Sequence, residues 1–235
     1  MSLFGVPVIY GIKPHQQETV PSHELGAIGV DGTGRKYRYV QAGELLVVGN
    51  ALQSKVENTS DQALAFAAAA VGATSVTTTT TVTVDANEYA NGYLVVSVTP
   101  DLGRTYRIKS HPAASAGTLV ITLYDPIVTA WTTDTRADLV ANPYLNVIQN
   151  PTTATSGCVG VAVAAIASAS YGWIGTGGVH GTLSDGATAV GASVVPSTGT
   201  AGAVIDTAST ARQVLGFAVA GIGSGENGAI FWTLD

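Results

Sequence analysis

Four histidines, at positions 15, 23, 111 and 180, are the first residues to question for chemistry. A zinc site legible in sequence needs pairs at H-x-x-x-H or H-x-H spacing, and none of the four has such a neighbour. The plain expectation is four histidines without a metal. A single cysteine, Cys158, excludes an internal disulfide and a multi-thiolate metal site. Set beside alternating valines, it reads as a buried, inert thiol. The run Gly221-Ile222-Gly223-Ser224-Gly225 fails the G-x-S-x-G nucleophile elbow, because its serine comes one place late. It also fails the G-x-G-x-x-G dinucleotide loop, because Glu226 stands where the last glycine belongs. Thr176-Gly177-Gly178-Val179-His180-Gly181 is followed by no Lys-Ser or Lys-Thr and matches no phosphate loop. Turn glycines account for both runs. Asp31, Asp101 and Asp185 fall in turn sequences, where a carboxylate bonds its own backbone. Asp134 and Asp138 could share a helix face, a common surface arrangement. Asp85 and Glu88 would hold calcium only with ligands from elsewhere. No nucleophile stands with a base, so the expectation is a non-enzymatic protein with no cofactor and no metal.

The aromatic residues are what remains. Trp173 and Trp232 lie in strand-like stretches and read as core bulk. Trp131, between Thr129-Ala130 and Thr132, is the candidate for a surface contact, either as an interface anchor or a glycan-stacking platform, with Tyr144 as a second. Phe4, Val8, Ile9 and Tyr10 crowd the first ten residues, where Pro7, Pro14 and Pro21 oppose a helix. Residues 1–24 are therefore expected to be extended. They read either as a frayed terminus or as an arm lying on a neighbouring subunit, since large apolar side chains are costly to leave in water.

The elements that must position these residues are strands. Charged residues make up only 11% of the chain, and small Ala, Val and Thr dominate beside 28 glycines. Val and Thr favour strands, and glycine punctuates them. Residues 26–56 read as a β-meander, with Lys36-Tyr37-Arg38-Tyr39-Val40 alternating charge and ring. Residues 60–71, where Ser60 or Asp61 could cap the alanine-rich run 63–70, read as a short helix, with an alanine-rich strand as the competing reading. Residues 74–124 hold strands at the spacing of a sandwich or barrel. A helical turn is expected near 134–140. Residues 157–235, with glycine corners, suggest a small barrel. The expected fold is all-β: short-stranded sandwich or barrel modules with an extended N-terminal arm. The division expected is an arm at 1–24, a β-rich domain at 25–155 containing a strand-rich section at 74–124, and a C-terminal barrel at 156–235. Pairing of the first strands with the last, with the middle section inserted, is the competing topology.

The net charge of −6 lacks the basic excess that nucleic acid demands, and the longest apolar stretch, 159–166, is too short to span a membrane as a helix. The opening residues lack the basic start of a secretory leader, so synthesis in a cytoplasm is expected and the Asn58-Thr59-Ser60 sequon carries little weight.

Three stretches resemble the capsid decoration (cement) proteins of tailed bacteriophages. They are residues 34–43 through 46–53, residues 89–96 with 103–109, and residues 161–166 with 171–174 and the glycine-punctuated tail. The resemblance implies a non-enzymatic structural virion protein on the outer surface of a head shell. Such a protein would stabilise contacts between major capsid protein subunits and gather as a homotrimer, with no direct nucleic acid or membrane partner. Phe4, Val8, Ile9, Tyr10 and Trp131 are the candidate subunit or capsid contacts. The alternative is a head or tail fibre module that binds host surface glycans.

Overall fold

The structure is a computed structural model, and it describes residues 8–206 and 212–235. In chain order these form β1 Val8–Tyr10, β2 Gln17–Glu18, β3 Ile28–Val30, β4 Lys36–Gln41, β5 Ala51–Gln53, β6 Leu64–Ala65, β7 Ser75–Thr79, β8 Thr83–Val84, β9 Tyr93–Val96 and β10 Thr105–Ser110. They continue with β11 Ala114–Ser115, β12 Thr118–Leu123, β13 Arg136–Val140, β14 Ile148–Gln149, β15 Cys158–Ala162, β16 Tyr171–Leu183, β17 Ser193–Pro196, β18 Val204–Asp206, β19 Gly216–Ala218 and β20 Asn227–Thr233. The protein is all-β; among the described residues one 3-10 turn, Thr59–Asp61, interrupts the strands.

Two compact units result, and neither follows the sequence-order division at 155/156. One combines Met1–Val56 with Pro143–Asp235, and the other is Glu57–Asn142. The long strand β16 is the reason. It pairs antiparallel with β4 along one side and with β20 along the other, so the first and last segments share one sheet. The competing topology, with the middle section inserted, describes this arrangement.

In the inserted unit, six strands run in the order β6-β13-β9-β10-β12-β7. The bridge Phe66↔Thr78 brings the two ends of this order together, with Ala67 N–H donating to the Thr77 carbonyl (2.8 Å), so the sheet closes into a barrel. Leu94, Val96, Ile108, Leu119, Ile121, Ala137 and Leu139 alternate inward to form its core. The helix expected at 60–71 is absent. Leu64 and Phe66 turn inward and Ala65 outward, and Leu64 pairs with Ala137. Cross-strand burial overrides alanine's local helical preference, which is weak in so short a segment. Residues 136–140 likewise form strand β13 rather than a helical turn, with Ala137 and Leu139 buried.

The first unit is built from a repeated device. A strand ends in a loop that crosses and pairs with a second such loop. In one pair, Ala42 N–H donates to the Ser170 carbonyl, Leu46 bridges Ile166, and Gly49 N–H donates to the Ala162 carbonyl. In the other, Ser184 N–H donates to Glu226, Thr188 bridges Ile222, and Gly191 N–H donates to Ala218. The inserted unit repeats the scheme: Phe66 N–H to Thr135, Ala69 bridged to Trp131, Gly72 N–H to Ile127. Gly49, Gly191 and Gly72 all have positive φ at the same turn position. The two pairs of the first unit share β16 and echo each other in sequence. Gly160, Ala162, Val163, Ala164, Ile166, Ser168, Gly172 and Ile174 recur 56 positions later, at 216, 218, 219, 220, 222, 224, 228 and 230.

The described part of the N-terminal segment runs extended along its own unit. β1 pairs parallel with β3, and β2 pairs with β16. Ile9 and Ile12 pack beside Tyr37, Tyr39 and Trp173. Of the extended arm expected over residues 1–24, the described residues 8–24 therefore lie on their own unit, and residues 1–7 lie outside the described residues.

Candidate interaction surface

An open apolar surface of the first unit lies on the outer face of β16, β20 and β19. Strand alternation sends Trp232, Ile230, His180, Thr182 and Ala218 inward and leaves their neighbours outside. Val179 pairs with Phe231, and Phe231 with Phe217, in one row across the three strands. These residues are 40%, 38% and 42% exposed, and the Phe217 and Phe231 rings stack with centroids 5.2 Å apart. Gly181 and Ala229 form the adjoining row, with Val219 beside them. No charged side chain interrupts these two rows.

Two hydrogen bonds order the interior beneath. Trp232 Nε1–H donates to Thr182 Oγ1 (2.9 Å). The His180 ring lies edge-on to Tyr37, with Nε2–H donating to the Gly177 carbonyl (3.1 Å). Burial pushes His180 below the ordinary histidine range.

At one end the face opens into a hollow of about 530 Å³ lined by Gly34, Arg35, Lys36, Gly178, Phe231 and Asp235, among others. Asp31 anchors this end. It accepts from Thr33 N–H and Oγ1–H, from Arg35 N–H and Nε–H, and from Tyr37 O–H. Desolvation opposes its ionisation, but the hydrogen bonds together hold its carboxyl well below the usual range. Arg38 grips Asp235 through Nε (2.7 Å) and Nη2 (2.5 Å), and these bonds lower that carboxyl too.

The residues singled out from sequence are not brought together. Phe4 lies outside the described residues. Val8 and Tyr10 project into solvent from β1, whereas Ile9 turns toward the aromatic cluster. Trp131 is not a surface contact. It is buried in the inserted barrel, edge-on to Phe66 and Tyr106, with Nε1–H donating to Asp101 Oδ2 (3.0 Å). Its flanking threonines gave it a polar look, but strand pairing with Ala69 carries its ring inward. Cys158 is buried, and burial pushes its thiol up to about 12, away from reactivity. Among the described residues no group of three or more His, Cys, Asp and Glu could hold a metal ion, and no helix is long and apolar enough to cross a membrane.

Phe217 and Phe231 were passed over because their strands are apolar on both faces. The alternation that distinguishes an inner from an outer side is absent from Val214-Leu215-Gly216-Phe217-Ala218-Val219.

No protein-family model matches the chain, no curated protein matches it, and no solved structure matches it.

Proposed function

We propose that the protein is a structural virion protein that decorates the outer surface of a tailed-phage capsid and cements neighbouring major capsid protein subunits. The sequence resemblance supplies the class. The observation that carries it toward this chain is the uncharged row Val179–Phe231–Phe217, displayed on a sheet whose inward side chains Trp232, Ile230, His180 and Thr182 are buried. A preorganised apolar surface binds a flat partner at a reduced ordering cost. Copies grouped as a homotrimer would present several such faces at once and gain by multivalency.

The test uses capsid shells lacking the protein. Wild type should co-sediment with them and raise their dissociation temperature. Phe217→Asp combined with Phe231→Asp should reduce co-sedimentation at least tenfold while leaving the far-ultraviolet spectrum unchanged. Wild type that neither co-sediments with nor stabilises the shells removes the cementing role.

A further inference from the structure

The outer wall of the inserted barrel carries a different kind of surface. Val140, Tyr93, Arg107 and Tyr124 stand in one row across β13, β9, β10 and the end of β12. Val140 pairs with Tyr93, Tyr93 with Arg107, and Tyr124 N–H donates to the Arg107 carbonyl. The two tyrosines are 40% and 45% exposed and flank the arginine. At the usual interstrand spacing they stand about 10 Å apart.

Hydrogen bonds organise this row. The Arg107 guanidinium lies over the Tyr124 ring, 4.7 Å from its centroid. Arg107 Nη2–H and Tyr124 O–H both donate to Asn91 Oδ1, each at 3.0 Å. Two donors on one oxygen fix the orientation of the Asn91 amide. Its Nδ2 donors make no bond among the described residues. Asn91 itself is pinned in the left-handed conformation, with its N–H on the Ile108 carbonyl and its carbonyl accepting from Asn142 Nδ2. The cluster is therefore set before any ligand arrives.

Two cations stand close together on this wall. The protein carries −6, yet Arg107 is followed two residues on, on the same face of β10, by exposed Lys109. Of the nearby carboxylates, Asp138 accepts from Ala63 N–H (2.6 Å), and Asp125 directly follows Tyr124. Tyrosine faces suit the C–H faces of sugar rings, and an amide and a guanidinium suit hydroxyl and carboxylate oxygens.

The geometry points to an acidic-oligosaccharide site, with Tyr93 and Tyr124 as stacking platforms, Arg107 and Lys109 facing the sugar carboxylates, and Asn91 Nδ2 donating to a hydroxyl. This site is separate from the cementing face, and the failure of either proposal leaves the other standing.

The full chain is titrated with a hyaluronan hexasaccharide, which carries uronic carboxylates, and with neutral chitohexaose, followed by calorimetry and by amide and side-chain chemical shifts. Binding of the acidic chain, with shifts confined to residues 91–93, 107–109 and 124, is the expected result. Tyr93→Ala and Tyr124→Ala should each weaken it at least tenfold. Tyr124→Phe, which keeps the ring, should weaken it less. Arg107→Gln should bring the acidic chain down to the level of the neutral one. A folded protein that binds neither chain, binds only the neutral one, or binds with shifts elsewhere overturns the proposal.

Discussion

A methyl group at position 216 would lie 1.9 Å from the Phe231 carbonyl oxygen, a distance no packed atom tolerates. Its counterpart 56 residues earlier, Gly160, faces the Gly175 carbonyl at 2.6 Å. Both glycines exist so that two strands can approach where one side chain would hold them apart. Gly216→Ala should cost about 2–3 kcal/mol of stability by urea denaturation. Gly181→Ala, with open space around it, should change stability by less than about 0.5 kcal/mol. Trp131 belongs to the same scale. As a buried ring whose N–H is bonded to Asp101, it should cost about 3–5 kcal/mol when replaced by alanine. His180 gives a pH signature. Its folded value is depressed by burial, so the native state holds it neutral while the unfolded chain takes up a proton near pH 6.5. Its contribution is full above that pH and lost as the pH falls below it. The melting temperature of wild type should therefore drop more between pH 7.5 and 5.5 than that of His180→Gln.

At the scale of elements, Ala63 separates the two readings of the alanine-rich segment. Its φ is +51°, and its N–H donates to Asp138. In a helix, glycine at this position would cost about 1 kcal/mol; in the left-handed turn that precedes β6 it relieves strain, so Ala63→Gly should be neutral or stabilising in thermal melts. The strands were legible wherever polar and apolar residues alternate, as in β4 and β10. The all-β character followed from the excess of Val, Thr and Gly. Residues 60–71 and 134–140 misled because local propensity cannot see the partner strand: Leu64 and Ala137 satisfy each other across β6 and β13. The recurrence of Gly160 through Ile174 at positions 216–230 was present in the letters. Its meaning lies in contacts, since Ile166 and Ile222 press onto Gly172 and Gly228 in the same way. The apolar row on β16, β20 and β19 was hidden because both faces of those strands are apolar. The Tyr93–Arg107–Tyr124 row needs a register between strands that spacing along the chain does not supply.

For the whole molecule, the two units differ in how they are made. Unit Glu57–Asn142 is one continuous stretch, its ends drawn together by Ala141 N–H donating to the Glu57 carboxylate. The other unit is threaded from both sides of it. Between β5 and β14 of that unit stand residues 54–56 and 143–147, eight positions once the insert is set aside. The matching connection in the second repeat, from β17 to β18, has seven, residues 197–203. A chain with residue 56 joined directly to 143 should therefore still fold. It should melt in one transition, where the full protein shows the transitions of both units by calorimetry. The same correspondence has a practical side. The short bend at 197–203 is the vacant twin of a socket that already houses an entire barrel, so a foreign cargo grafted there would be received by a frame built to carry one.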